Sequence, residues 1–342
     1  MIISRTPFRV SFFGGGTDYP SWYRSNGGSV LATTINKYCY LSCRYLPPFF
    51  EHTSRIVYSK VEHVRTFDDI EHRAVRAILK HMKVPRGVEI HHDSDLPARS
   101  GLGSSSAFTV GLLKCLYALY GQMPTKQKLA LESIHIEQEV LQETVGCQDQ
   151  VLAAYGGFNH ITFSPGGDIS VEPVTLSSQR IQELTSYLML IFTGINRTAS
   201  SIASTYAKSM EENEQQMRSI RGMVDEGLSI LSGSDDIRRF GKLLHEYWQT
   251  KRSLSASICT NTVEQIYDEA LACGADGGKL LGAGGGGFLL LFAEPGAQKR
   301  IKDKFRNLIH VPFKFETYGS QIILADLEED SSHTLSFEQA IV

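Results

Sequence analysis

An α+β chain of two domains is the fold class the sequence predicts, and three features predict it. Its 342 residues exceed the roughly 100–200 that one domain ordinarily holds. Strand-like segments crowd the first half, whereas long amphipathic helices fill about 198–273. Strands and helices do not alternate regularly, which argues against a repeated βαβ plan. The composition is globular: 42% apolar and 21% charged residues exclude intrinsic disorder. With 34 Lys and Arg against 37 Asp and Glu, the formal charge of −3 leaves a basic nucleic-acid surface unexpected.

The longest apolar runs, 187–192 and 288–293, fall far short of the ~20 residues that cross a bilayer. Arg5 and Arg9 interrupt what would have to be an uncharged signal core, so the expected compartment is the cytoplasm, with no membrane partner. Cys39, Cys43, Cys115, Cys147, Cys259 and Cys273 form no CxxC pair and read as buried small hydrophobes. No HExxH occurs, and adjacent His91 and His92 point to opposite faces of a strand.

In chain order, strands are expected at about 8–13, 29–34, 37–46, 54–61 and 87–92, rich in Val, Ile, Tyr, Phe and Thr between turn residues. A helix follows at 104–120, with Val110, Leu113, Tyr117 and Tyr120 on one face, and a second at 125–143 capped by Thr125. Segments 157–163 and 169–174 read as a hairpin around Ser164-Pro165-Gly166-Gly167. After a strand over YLMLIF come the long helices, then strands at 287–293 and 311–325 around a helix at 296–308. A change of composition near 180–186 divides the chain into expected domains 1–185 and 186–342.

Glycine placement carries the chemistry. The segment Pro97 to Ala107 joins Gly101-Leu102-Gly103 to Ser104-Ser105-Ser106 and opens directly into the 104–120 helix. Free amides and the positive end of a helix dipole meet hydroxyls there, an arrangement that binds phosphate, whereas an ordinary Ser cap needs one Ser and no glycine. It is not a Walker A loop, because no G-x-x-x-x-G-K-[ST] occurs. A second run, Gly282-Ala-Gly284-Gly285-Gly286-Gly287, formally contains G-x-G-x-x-G. Its expected context is a preceding helix and loop and a following strand, the wrong setting for a dinucleotide fingerprint. A plain glycine-rich turn is the simpler alternative. In the third segment, Arg5 to Pro20, Arg9 sits in an apolar strand before Gly14-Gly15-Gly16-Thr17-Asp18, costly unless its charge meets an anion or the strand edge is exposed.

In this order and at these separations, the three segments resemble the three motifs of the GHMP small-molecule kinases, over residues 5 to about 325. Within that family, RTPFRVSFFGGGTDYP, TGINRTAS and KLLGAGGGGF most resemble the bacterial D-glycero-D-manno-heptose 7-phosphate kinases. The resemblance implies an N-terminal ribosomal-S5-like domain carrying the ATP phosphate cradle and the catalytic Asp, and a C-terminal ferredoxin-like α/β domain carrying the glycine-rich third motif. ATP and the acceptor would lie between them, with Mg2+ as cofactor. It implies Asp149, in Gly146-Cys-Gln-Asp149, as the catalytic residue, and Arg9 as the cation that stabilises developing charge. Gly101, Leu102, Gly103, Ser104, Ser105 and Ser106 would bind ATP phosphates, and Ser105 and Glu137 would hold magnesium. Glu139 and Glu143 lie close to Glu137 in sequence and read equally as a solvated helix face.

Gly15, Gly16, Thr17 and Asp18 would face the sugar, with Gly282, Gly284, Gly285 and Gly286 forming the third-motif loop. Galactokinases carry Gly-Glu-His where this chain has Gly14–Gly16, a loss of two polar side chains that leaves room for a different or larger sugar. The implied reaction is phosphorylation of the anomeric hydroxyl of D-glycero-D-manno-heptose 7-phosphate, in nucleotide-activated heptose synthesis for surface polysaccharide. A sugar phosphate needs a second anion site, for which Arg197 and Thr198 in the turn after YLMLIF are the candidates. Lys251 and Arg252 are the next pair, and read equally as a solvated helix face. The alternatives are a fucokinase-like or hexose 1-kinase on an unphosphorylated sugar, and a non-catalytic sugar and ATP sensor. A homodimer stays open.

Overall fold

The computed structural model describes residues 1–98, 100–195, 212–255 and 258–326. In the N-terminal half the order is β1 (Ile2–Phe13), α1 (Pro20–Asn26), β2 (Gly28–Tyr45), β3 (Ser54–Val57), β4 (Val61–Val64), α2 (Arg73–His81) and β5 (Val88–Ser94). Then come α3 (Ser104–Leu119), α4 (Lys126–His135), a π turn (Ile136–Val140), α5 (Gln148–Tyr155), and the hairpin β6 (Phe158–Phe163) and β7 (Ile169–Pro173). The C-terminal half holds α6 (Ser178–Tyr187), β8 (Leu188–Phe192), α7 (Glu214–Ser232), α8 (Arg238–Ser253), α9 (Asn261–Ala272), β9 (Ala275–Leu280) and β10 (Phe288–Ala293). It ends with α10 (Pro295–Lys304), β11 (Ile309–His310), β12 (Phe315–Glu316) and β13 (Gln321–Ala325). No described helix is long and apolar enough to cross a membrane.

The larger sheet runs β13-β1-β2-β5-β3-β4, with β6, β7 and β12 branching from it. Its spine is the antiparallel pair β1 and β2, whose register shifts twice, at Pro7/Phe8, where proline supplies no N–H to the ladder, and again at Ser11/Phe13. β2 is one strand where the sequence predicts two. Asn36, which reads as a break, donates its N–H to Lys314 O, so the chain's far end repairs the gap. Away from β1, three partners share β2 in series: β6 on 28–33, β12 on 34–35 and β5 on 39–45. Helix α3 packs on β1 and β2, burying Val110, Leu112, Leu113 and Leu116. Each such side chain contributes about 1.5–3 kcal/mol on leaving water.

The smaller sheet runs β11-β8-β10-β9, antiparallel throughout. α8 packs on β9 and carries the fully buried Tyr247 and Trp248. The sheets meet through aromatic rings at the end of β1: Phe12 and Phe13 lie edge-on to Phe240 at 5.4 and 5.0 Å, and Phe13 to Tyr247 at 5.8 Å.

Three expectations need correction. The strand predicted over 311–325 is divided: β11 adds to the smaller sheet just ahead of it, whereas β12 pairs with β2 and β13 with β1, so the end of the expected C-terminal domain joins the N-terminal sheet. The helix predicted over 125–143 stops at His135 and widens into the π turn, where Leu141 N–H reaches Ile136 O. The glycine run is preceded by strand β9, not by a helix and loop, so it joins two antiparallel strands. It still opens no helix, and the exclusion of a dinucleotide fingerprint stands on that ground.

Candidate active site

A cleft of about 480 Å³ lies between the two sheets, lined by residues of all three glycine segments. One end of it is built around Gly103, which caps α3 in the left-handed region (φ +76°) with no side-chain cap. The first bond into the helix is Ala107 N–H to Gly103 O, so the amides of Ser104 to Ser106 sit at the helix's positive end. β1 anchors this loop: Arg9 N–H donates to Leu102 O at 3.1 Å, and its Nη1 donates to Gly101 O at 2.6 Å. Ser104, Ser105 and Ser106 line the cleft, but the Leu102 side chain is buried away from it.

The third-motif glycines form the loop between β9 and β10, and their lack of a Cβ is used against protein. A Cβ on Gly282 would stand 2.5 Å from Gly101 Cα, one on Gly284 2.8 Å from Ile258, and one on Gly286 2.7 Å from Ile195. Gly285 donates its N–H to Ile258 O. The run therefore lets the β9–β10 connection press against protein backbone, and of these four only Gly282 lines the cleft.

Arg9 and Asp149 form a bidentate ion pair, Nε to Oδ1 at 2.7 Å and Nη2 to Oδ2 at 2.9 Å. Arg9 rises from buried β1 and Asp149 from the first turn of α5, its side chain a quarter exposed toward the cleft. Beside them Asp18 is buried, accepting Gly16 N–H at 2.9 Å, Gln148 N–H at 3.1 Å and Gln148 Nε2 at 3.3 Å. Burial pushes its carboxyl up, the nearby Asp149 charge adds to that, and the backbone donors oppose it. Thr17 corrects an expectation. Its one hydroxyl proton is shared between Gly14 O and Ser29 O, and its oxygen accepts Ser29 N–H, so it braces the turn and does not reach the cleft.

Glu137 enters the cleft from the π turn, fully buried. Its Oε2 accepts from Ser106 Oγ at 2.9 Å and Gln150 Nε2 at 2.5 Å, while its Oε1 has no partner. Burial raises this carboxyl to about 7, against the pull of those donors and the Thr109 hydroxyl. The hydroxyl bonded to Glu137 is thus that of Ser106, and Ser105 stands exposed at the cleft one residue earlier. A buried carboxylate oxygen without a partner, close to serine hydroxyls at a helix N-terminus, fits a hard divalent cation such as magnesium.

The C-terminal wall contributes two lysines. Lys251 of α8 is buried and donates to Gly282 O at 2.7 Å. Burial pushes its ammonium down to about 8, Arg9 adds to this, and Asp18 and Asp149 oppose it. Lys279 of β9 donates to Phe12 O at 2.8 Å, lies 3.9 Å from the Tyr247 ring centre, and is pushed well down by burial and by Lys251. The solvated face suggested for Lys251 and Arg252 fits only Arg252, which pairs with Glu264 at 3.1 Å. In the sequence Lys279 follows two glycines at no spacing that marks it as part of a site. Arg197 and Thr198 lie outside the described residues.

Residues 70–157 match the family model of the GHMP kinases N terminal domain, and residues 230–310 that of the GHMP kinases C terminal. The chain belongs to the GHMP kinases. As a GHMP kinase it is a phosphotransferase with an alcohol group as acceptor. It is similar to the D-glycero-alpha-D-manno-heptose 7-phosphate kinase of Campylobacter jejuni, 29% identical over 311 residues that cover 86% of this chain and 90% of that protein. The galactokinase of Thermotoga neapolitana is 24% identical over 94% of this chain and 98% of its own length. Among solved structures, a D-glycero-D-manno-heptose 1-phosphate kinase from Bacteroides thetaiotaomicron superposes with a TM-score of 0.76 at 24% identity, covering 94% of this GHMP kinase and 98% of that chain.

Proposed function

We propose that this GHMP kinase transfers the γ-phosphoryl group of ATP to the anomeric hydroxyl of D-glycero-D-manno-heptose 7-phosphate, giving the 1,7-bisphosphate and ADP. The observation that carries the transfer is the Arg9–Asp149 pair beside the α3 N-terminus, with buried Asp18 adjoining. The acceptor oxygen forms a bond to the γ-phosphorus as the bond to the β–γ bridging oxygen breaks. Asp149 accepts the hydroxyl proton or orients the hydroxyl as it leaves. Arg9 holds that carboxylate in place and offsets the charge spreading over the moving phosphoryl oxygens. The α3 amides and serine hydroxyls hold the ATP phosphates, and Asp18 accepts from a sugar hydroxyl. Glu137 and the cradle serines, Ser105 in particular, are the residues that would hold magnesium, which when bound neutralises charge on the β- and γ-phosphate oxygens.

The heptose phosphate assignment draws on the likeness to the Campylobacter jejuni enzyme, on the small residues at Gly14–Gly16, and on the cations of the C-terminal wall. Arg197 and Thr198 remain the candidates for its 7-phosphate, in a cytoplasmic enzyme that feeds nucleotide-activated heptose synthesis. A coupled ADP-release assay with heptose 7-phosphate, heptose 1-phosphate, free heptose, mannose, galactose and fucose tests it. Heptose 7-phosphate is expected to give the highest kcat/KM. Equal use of free and phosphorylated sugars would replace the assignment with a kinase for an unphosphorylated sugar, the activity named for the galactokinase relative.

A further inference from the structure

On the Asp18 side of the cleft, two polar atoms are buried without a partner: Ser11 Oγ and Gln148 Oε1. Ser11 is 5% exposed and Gln148 8%, and both line the cleft. The amide of Gln148 cannot turn to relieve this, because its Nε2 is drawn to Asp18 Oδ1 and Oε1 is then left on the other side. Leaving a buried donor or acceptor unmatched is costly, so such atoms at a cleft wall are held ready for a ligand. Gly15 shows where that ligand would sit. A Cβ built there would stand 3.3 Å from Tyr247 Oη, 3.5 Å from Gln148 Nε2 and 3.6 Å from Ser11 Oγ, so the niche holds one heavy atom closely and is walled by polar atoms.

We propose that Ser11 and Gln148 read a second hydroxyl of the acceptor, which enters the niche that Gly15 leaves open, donates to Gln148 Oε1 and exchanges a hydrogen bond with Ser11 Oγ. The ligand class is a cyclic polyol bearing a hydroxyl beside the one phosphorylated. This rests on the reading of the cleft as an acceptor site for a sugar, and it deepens that reading by naming specificity residues. Asp18 keeps its two backbone donors when the Gln148 side chain changes, so the proposal is separable from the placing of Asp18. A polar niche of this kind rejects analogues lacking the hydroxyl more strongly than an apolar pocket rejects a missing methylene.

The test uses the full chain and whichever panel sugar the wild type phosphorylates with the highest kcat/KM, together with its deoxy analogues. A wrong heptose assignment then shows as a different preferred sugar, whereas a wrong assignment of Ser11 and Gln148 shows in the variants. Ser11→Ala and Gln148→Met are each expected to lower acceptor kcat/KM about two- to tenfold, the worth of one neutral hydrogen bond, with KM for ATP and melting temperature retained. On the analogue lacking the contacted hydroxyl, wild type and variants should converge. Gly15→Ala, which fills the niche, should raise acceptor KM alone, and it serves where Ser11→Ala does not fold. Wild-type acceptor kinetics in the variants, an equal loss on every deoxy analogue, a rise in KM for ATP of the same size, or a wild type that phosphorylates no sugar of the panel would each overturn the proposal.

Discussion

Every nitrogen of the Arg9 guanidinium is engaged, two on Asp149 and one on Gly101 O. The pair therefore ties the expected proton acceptor to the phosphate loop. Asp149→Asn keeps the shape but removes the charge, and is expected to lower kcat by about 10²–10⁴. Because Asp149 is a quarter exposed, the stability cost should be at most about 3 kcal/mol, checked by urea denaturation beside the kinetics. Lys251 gives a pH prediction. Its folded value of about 8 lies below its unfolded value near 10.4, so between these pH values the unfolded chain holds a proton that the folded chain lacks, and stability rises with pH. Relative to Lys251→Met, wild type should gain on the order of 3 kcal/mol between pH 7 and 10.5, read from urea midpoints; a flat difference would remove the charge penalty assigned to Lys251. At this scale the motif residues Arg9, Asp18, Glu137 and Asp149 were legible and converge on one cleft. Ser11, Gln148 and Lys279 were not, because a serine in a strand or a lysine after two glycines has no spacing that marks it.

The elements around the cleft make use of irregular backbone. The π turn Ile136–Val140 swings Glu137 inward from what would otherwise be one continuous helix. Nothing in SIHIEQEV distinguishes a π turn from a helix, since a single widened turn is too short to show a period of its own, and so that break was invisible. β9 escaped for a related reason: Gly277 and Gly278 dilute its strand signal, although both are buried within the sheet. The glycine segments themselves were legible as loops. At Gly282 the chain combines φ +79° with a 2.5 Å approach to Gly101, so Gly282→Ala meets a left-handed penalty of about 1–2 kcal/mol and a clash as well. Its loop should lift from the phosphate loop. KM for ATP is expected to rise several-fold while acceptor KM stays within twofold, a split that titration of each substrate separately would reveal.

For the molecule as a whole, two sheets of different size stand on either side of the cleft, with β13, the last described strand, returning to the sheet where the chain began. Local sequence predicted strands near 311–325, but pairing partners are set by long-range fit and leave no local trace. Phe315 of β12 rests on Phe158 at 5.5 Å and Phe12 at 6.2 Å, so the return also closes an aromatic cluster at the sheet junction. A chain shortened to residues 1–313 should lose this cluster and two strand pairings, with a melting temperature many degrees lower or outright aggregation; an unchanged melting curve would mean that the return adds nothing to stability. The same return constrains how the protein is made. Arg5 meets Gln321, 316 residues further on, so a nascent chain emerging from the ribosome carries an open β1 edge for nearly the whole of its synthesis. Such an edge is a template for any neighbouring strand. The last few residues of the described chain are therefore the ones that end its exposure to aggregation, and the N-terminal sheet, though encoded first, is completed last.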